Sequence, residues 1–330
     1  FYNINHFMVS IIIPFKNPMP YFEDCLKSVI NQTYVKLQII LVNDGSTDQS
    51  LELAKKMSDK DSRIQIFKNN GNGIIDALNT GAEISSGKFI TRMDADDIMK
   101  PEKIKILRDL LIKSGYKFLS TACVSYFSSN KKLGSGYLKY AKWLNQLTIK
   151  SENFKDIYKE CTIPSSCWMM HMNDFNYING FKNLNYPEDY DFAFRTYYNN
   201  IQLISSDKKI HMWRDHPKRT SRNSPLYEFV NFIPLKINYL VKYELKKEQL
   251  ILWGAGRKGK EIAKYLQEKS ISFAWVSNNS KKIGHLIYNK EIQSEDYINL
   301  KIEKLIICGI SEKIFEPPSN TKFNRFINFF

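Results

Sequence analysis

The chain has 330 residues, 43% of them hydrophobic and 25% charged, which is ordinary for a globular protein with room for two domains, or for one large α/β domain with an appendage. Its 48 Lys and Arg against 34 Asp and Glu leave a formal charge of +14, a surface that attracts phosphates, nucleic acid or anionic lipid unless it is simply a solvated basic face. The five cysteines are scattered without a CxxC pair, which argues against a disulfide framework and a structural zinc site, and no apolar run approaches the roughly 20 residues that span a bilayer. A reducing, cytoplasmic setting is expected. No basic segment followed by an apolar one marks a signal peptide. Any membrane contact is therefore expected to be peripheral, at the inner face.

Short β-branched runs alternate with amphipathic helical patterns through the first hundred residues. Val9 to Ile13 predicts a buried strand, Tyr21 to Asn31 a helix, and Leu37 to Val42 a second strand. Ser46 with Gln49 three residues later has capping-box spacing and predicts a helix start. Strands follow at Ile64 to Phe67 and Lys88 to Met93, separated by a helix at Ile74 to Ile84, and Pro101 opens another helix. This order implies βαβ units and a parallel sheet. Further on, Leu119 to Phe127 reads as a strand, Phe154 to Thr162 and Tyr190 to Asn199 as helices, and Pro217 to Pro225 as a polar loop. A helical connector is expected over 226–247. Beyond it, Gln249 to Trp253 leads through Gly254, Gly256 and Gly259 into a helix to Lys269, with strands at Phe273 to Val276 and Lys304 to Cys308. The expected domains are 1–225, the connector 226–247, and a Rossmann-like unit over 248–330.

The strongest chemical signal is Met93-Asp94-Ala95-Asp96-Asp97, which closes an apolar strand. Ligands bind beyond the carboxyl ends of strands in open α/β sheets. Three carboxylates there repel one another unless a cation sits among them, and hard oxygen ligands suit Mg²⁺ or Mn²⁺. A solvated turn with Asp97 capping the next helix is the ordinary alternative. Asp44, in Val42-Asn43-Asp44-Gly45-Ser46-Thr47-Asp48, also lies at a strand end and reads as a turn and cap, or as an acceptor for a base edge. Pro187-Glu188-Asp189-Tyr190-Asp191 opens a helix, whose positive end keeps a carboxylate ionised and able to act as a general base. In Trp213 to Ser221, His216 is a candidate metal ligand, and Arg219 or Lys218 a diphosphate contact.

The conjunction of SIIIPFKN at Ser10 to Asn17, ILVNDGSTD at Ile40 to Asp48, the segment from Gly73 to Asp97, and PEDYDFAFR at Pro187 to Arg195 resembles glycosyltransferase family 2. The resemblance covers roughly residues 8–222. It implies an inverting enzyme of the GT-A fold, an α/β domain with a mixed sheet on a parallel core. It further implies that Pro14 and Phe15 line the nucleotide pocket and that Asp44 contacts the base. Asp94 and Asp96 would form the DxD pair for ribose and metal-bound diphosphate, with Arg92 and Asn79 on the donor side. Asp189 matches the catalytic base, Glu188 precedes it as in many members, and His216 matches a loop histidine that closes over the donor. Two departures stand out: Asn43 occupies a common Asp position, and Lys16 replaces a common Tyr, leaving the base identity open.

The glycine loop of the C-terminal segment resembles dinucleotide-binding segments, but Ser277-Asn278-Asn279 stands where the ribose-binding acid belongs. The alternatives for this segment are an NAD-dependent oxidoreductase, a nucleotide-sugar-binding module, or a structural or docking unit, with hydride transfer not expected. Lys322 to Phe330 reads as a last strand or a membrane-facing edge. The expected reaction is transfer from a nucleotide-diphosphate sugar, a UDP-sugar first, to a glycan or lipid-linked hydroxyl in surface polysaccharide synthesis. Mn²⁺ or Mg²⁺ on Asp94, Asp96 and His216 is the expected cofactor, and no nucleic acid partner is expected.

Overall fold

The computed structural model describes residues 7–128, 133–182, 187–310 and 321–330. The chain divides into two compact units. The first is built from residues before Ser224, apart from short segments that include Asp156–Cys161; the second contains that segment and Ser224–Phe330.

In the first unit, β1 (Val9–Phe15), α1 (Phe22–Ile30), β2 (Leu37–Asn43), α2 (Ser50–Ser58), β3 (Ile64–Lys68), α3 (Ile74–Ile84) and β4 (Phe89–Arg92) follow one another, and β3, β2, β1 and β4 pair in parallel. Every residue of β1 is buried, because helices cover both faces of a parallel sheet. Burying side chains such as Ile11, Ile12 and Ile13 stabilises the fold by about 1.5–3 kcal/mol each. The chain continues through β5 (Ile98–Met99), α4 (Lys103–Ser114), β6 (Phe118–Phe127), α5 (Ser135–Ile149), β7 (Trp168–His171), α6 (Met172–Tyr177), α7 (Glu188–Tyr198), β8 (Gln202–Arg214) and α8 (Thr220–Asn223). The eight strands run β3-β2-β1-β4-β7-β6-β8-β5. Strand β7 is antiparallel to β4 and β6, and β5 is antiparallel to β8, so the parallel core carries a mixed flank.

Two local expectations are corrected. Helix α2 begins at Ser50, with Gln49 before it, and not at Ser46. Gly45 takes φ +71°, and Asn43 Oδ1 accepts from the Ser46 amide, so residues 44–48 are spent on a turn. Phe154 to Thr162 contains only the 3₁₀ turn Asn153–Asp156 instead of a helix. The polar loop after Pro217 holds the short α8 and a further 3₁₀ turn, Pro225–Tyr227.

The second unit has α9 (Phe229–Tyr239), which runs into a π-helical turn at Leu240–Glu244, followed by β9 (Gln249–Trp253), α10 (Arg257–Glu268), β10 (Ala274–Ser277), β11 (Leu286–Ile287), β12 (Lys290–Ser294), β13 (Lys304–Cys308) and β14 (Asn324–Asn328). Its sheet order is β11-β12-β10-β9-β13-β14, parallel throughout except for the β11 edge. The C-terminal aromatic segment is thus a strand, with Phe329 buried against Tyr158. All five cysteines of the chain are buried free thiols. Among the described residues, no helix is long and apolar enough to cross a membrane.

Gly254 after β9 and Gly259 in the first turn of α10 are needed for closeness. A Cβ on Gly259 would lie 2.0 Å from the Gly254 carbonyl oxygen. We expect Gly259→Ala to destabilise the second unit by about 1–3 kcal/mol, the usual cost of overpacking. Urea denaturation checks this; an unchanged midpoint would contradict the packing account.

Candidate active site

The acidic motif folds as a tight turn at the carboxyl end of β4, closed by the Asp97 amide donating to the Asp94 carbonyl at 3.2 Å. Met93 and Ala95 are buried in the core, so Asp94 and Asp96 project from the turn between them. Asp97 points inward and is 1% exposed. It caps no helix: α4 has Glu102 at its N-cap position.

Arg92, the last residue of β4, is 3% exposed and grips two carboxylates. One terminal nitrogen donates to Asp94 Oδ1 at 2.6 Å, and the other donates to Glu188 Oε1 at 2.5 Å. Burial works against the guanidinium charge, but the two carboxylates outweigh it and hold Arg92 charged. Burial also opposes ionisation of Asp94, yet Arg92 brings that carboxyl below its ordinary value. The cluster therefore draws the end of β4 and the start of α7 together.

Asp189 follows Glu188 at this junction. Burial, with the Glu188 charge beside it, pushes its carboxyl up to about 7, while Arg92 and the Tyr190 amide pull the other way. The helix N-terminus alone was expected to keep this group ionised; desolvation wins over the dipole. A carboxyl poised near neutrality is suited to exchange a proton at working pH.

Beneath the turn lies a polar chain that local sequence does not announce. Asp97 Oδ1 accepts from the Arg214 amide at 2.8 Å, and Oδ2 lies 3.2 Å from His211 Nε2. Lys103 Nζ is fully buried, donates to the Ser166 carbonyl, and sits 3.1 Å from His211 Nδ1. With Lys103 donating to Nδ1, the imidazole carries its proton on Nε2 and donates to Asp97. Burial, then Lys103 and Arg219, hold His211 well below its ordinary value, hence neutral. Burial, then Asp96 and Asp94, push Asp97 well above the usual carboxylate range.

His216 lies at the turn: Nε2 is 2.7 Å from Asp96 Oδ2, and the ring packs on Tyr21 with centroids 4.5 Å apart. Arg214 Nε donates to the Asp96 carbonyl at 2.8 Å, and its terminal nitrogen donates to Asp24 Oδ2 at 2.9 Å. Arg219 lies over the Tyr126 ring at 5.4 Å, and the Asp97, Asp96 and Asp94 charges favour its ionised form against burial.

At the neighbouring strand end, Asp44 is 9% exposed. Its Oδ1 accepts from Asn69 Nδ2 at 2.7 Å and the Gly73 amide at 3.0 Å, and Oδ2 accepts from Lys16 Nζ at 3.2 Å. Burial raises this carboxyl, but these donors together bring it below its ordinary value. Pro14 pairs with Val42 within the sheet. The Phe15 ring stacks on Phe22 in the core at 4.8 Å, so it is the Phe15 carbonyl, accepting from the Asp44 amide, that meets this end. Asn79 is half-buried on α3.

Among the described residues, no group of three or more His, Cys, Asp or Glu side chains stands already arranged around a metal ion. The donor chemistry nonetheless fits a hard divalent cation. Asp96 and His216 meet at 2.7 Å, and Asp94 projects from the same turn with Oδ2 held only loosely, 3.4 Å from the Ser165 hydroxyl.

The glycosyl transferase family 2 model matches residues 10–178, which is 169 of the 330. An uncharacterized glycosyltransferase of Haemophilus influenzae is 35% identical over 193 residues, 56% of this chain and 58% of that protein's length. The matched part thus spans little more than half of that relative. The fold is similar to the crystal structure of Staphylococcus aureus TarS 1-349 in complex with UDP-GlcNAc, with TM-score 0.58 and 18% identity over 80% of this chain and 73% of that one. It is also similar to the mannosyltransferase PcManGT from Pyrobaculum calidifontis in complex with GDP-Man and Mn²⁺, with TM-score 0.52 and 14% identity over 71% of this chain and 63% of that one. The mixed sheet on a parallel core is of the GT-A type, similar to that of TarS, and the chain belongs to glycosyl transferase family 2.

Proposed function

We propose that the chain transfers a sugar, with inversion, from a nucleoside-diphosphate sugar to an acceptor hydroxyl. The observation that carries this reading is the bridge from Asp94 through Arg92 to Glu188, which sets a carboxyl poised near pH 7 beside the acidic turn. A donor diphosphate belongs at Asp94 and Asp96, with Arg219 as its cationic contact and Asn79 on the same side. The base belongs at Asp44 and Pro14, where Phe15 contributes backbone. Arg92 serves as the clamp between the two carboxylates. Support for a nucleotide-sugar donor comes from TarS and PcManGT, whose structures hold UDP-GlcNAc and GDP-Man.

In the proposed step the acceptor oxygen attacks the anomeric carbon as Asp189 takes its proton. The bond from that carbon to the diphosphate oxygen breaks, and the nucleoside diphosphate leaves with the electron pair. Mn²⁺ or Mg²⁺, held by Asp94, Asp96 and His216, supplies positive charge to the diphosphate when bound. The acceptor is read as a growing glycan, free or lipid-linked, and the basic surface suits contact with an anionic membrane face.

Release of nucleoside diphosphate from a panel of sugar donors, with and without Mn²⁺, tests the reaction itself. Asp96→Ala is expected to lower turnover on the order of 10²–10³-fold, the scale of one lost electrostatic contact to developing charge. Undiminished turnover in the variant, or a full wild-type rate in excess chelator, would contradict the assignment of Asp96.

Asp189 gives a pH signature. A base works only when ionised, so turnover should rise with pH through about 7 and then level off. Asp189→Asn is expected to remove on the order of 10²–10⁴-fold of rate while leaving nucleotide affinity near normal, as calorimetry would show. Stability moves the opposite way. A carboxyl raised in the folded state favours the fold fully below its unfolded value, and that contribution is lost as pH rises through about 7. The Asn variant should therefore melt above the wild type at pH 8 and lose that advantage below pH 4. Loss of nucleotide binding with chemistry retained would reverse the role given to Asp189.

A further inference from the structure

Strand β8 does not run evenly beside β6. Ala122 stands opposite Ser206, but Val124 stands opposite His211, so Asp207, Lys208 and Ile210 have no counterpart on β6. At the register of its first half, β8 would place His211 opposite Phe127; after the slip Arg214 stands there instead. Side chains alternate along a strand, so a slip of three residues also exchanges the two faces. The slip carries the end of β8 to the acidic turn. There the Arg214 amide donates to Asp97 Oδ1 at 2.8 Å, Arg214 Nε donates to the Asp96 carbonyl at 2.8 Å, and His216 Nε2 lies 2.7 Å from Asp96 Oδ2. The Asp215 amide closes the end of the ladder on the Phe127 carbonyl at 2.8 Å.

Extra residues in one strand are left unpaired and disrupt the ladder locally, so groups outside the two strands must hold such a slip in place. Helix α5 does this from both sides. On β6, just after the slip, Asn145 Oδ1 accepts from the Val124 amide at 2.8 Å and Asn145 Nδ2 donates to the Val124 carbonyl at 2.8 Å. On β8, just before the slip, Ser205 Oγ donates to the Thr148 carbonyl and lies 2.8 Å from Ser151 Oγ. Asn145 and Thr148 both belong to the buried face of α5. An Asn side chain presents a donor and an acceptor together, as a peptide group does. No apolar residue at this position could pair both Val124 groups.

We propose that Asn145 and Ser205 are positioning residues for the metal site: by tying α5 to both strands across the slip, they fix the register of the end of β8 and so deliver Arg214 and His216 to the acidic turn. This rests on the reading of Asp96 and His216 as ligands of Mn²⁺ or Mg²⁺. The two residues act through the backbone of β6 and β8. A register released at Val124 shifts His211 and Arg214 along β6, and with them the loop that carries His216. The ligands remain in the chain, but Asp96 and His216 no longer meet. Groups that only orient metal ligands commonly change metal affinity on the order of 10–100-fold.

The test is calorimetric titration of the full chain with Mn²⁺, with and without UDP, together with amide hydrogen exchange of the metal-free protein. Wild type is compared with Asn145→Leu, Ser205→Ala and Leu144→Ala. Leu keeps the branched shape of Asn and leaves both Val124 groups unpaired. Leu144 is fully buried on the same helix, so its truncation weakens the packing of α5 while leaving both ties intact. Asn145→Leu should bind Mn²⁺ on the order of tenfold more weakly than wild type, with faster exchange of the Arg214 and Asp215 amides. Leu144→Ala should melt at a lower temperature yet bind Mn²⁺ as wild type does. Wild-type affinity and exchange in Asn145→Leu, or equal weakening by Leu144→Ala, would overturn the positioning role. Should Asn145→Leu fail to fold, Ser205→Ala at its half-buried site takes its place. Weaker Mn²⁺ binding with faster exchange then supports the proposal, and wild-type values overturn it. Wild type that takes up Mn²⁺ beside unaffected variants sinks the proposal alone. Wild type that takes up none sinks the ligand reading, and the proposal with it.

Discussion

A single buried guanidinium organises the functional end of this protein. Arg92 closes β4 at 3% exposure and spends both terminal nitrogens on carboxylates, Asp94 from its own turn and Glu188 from a helix 96 residues away in sequence. Such a charge cannot be left unpaired: losing one partner of a buried ion pair costs about 3–5 kcal/mol. The constraint therefore runs in both directions. The end of β4 must meet the start of α7, and Asp189, next to Glu188, is delivered into the field of the acidic turn. That field, together with burial, sets its proton affinity.

The same logic governs the rest of the turn. Three carboxylates in five residues suggest a demand for an external cation, and the protein meets much of that demand itself. Asp94 has Arg92, Asp97 has the Arg214 amide and His211, and Asp96 has His216. Asp97 is thus a structural member of the motif, held by a buried chain that ends on Lys103. The two projecting carboxylates are left for a ligand. This division of labour follows from side-chain direction within the turn, Met93 and Ala95 inward and Asp94 and Asp96 outward.

Much of this was legible in the amino-acid order. Strands β1, β2 and β4 announce themselves as apolar, β-branched runs, because burial on both faces demands continuous apolar sequence. The acidic turn is visible because carboxylates at a strand end are chemically conspicuous. Strand β8 was not foreseen: over 13 residues its first part is exposed or half-buried, Lys208 and Lys209 included, and its end is largely buried, without a clean period of two. Lys103 and His211 look like ordinary solvated residues in KIKIL and IHMWR. Only the packing of α4 against β8 buries them, and nothing local encodes it. Asn69 likewise carries no local signal of its role, although its side chain donates to Asp44. Ser46 misled because its cap spacing is genuine, while Asn17 and Asn43 claim the turn first. The resemblance to a transferase family located Arg92 but not its role, which depends on a contact across most of the unit.

The account stands most directly on the claim that the Arg92 charge couples the acidic turn to Asp189. The decisive measurement is the pH–rate profile of Arg92→Gln, taken on protein that remains folded by circular dichroism. Arg92 lowers the Asp189 proton affinity, so removing its charge should move the acid limb of the profile upward from about 7, with turnover reduced at neutral pH. An acid limb that stays where it is in wild type, at undiminished rate, would show that Arg92 and Asp189 act independently and would contradict the account.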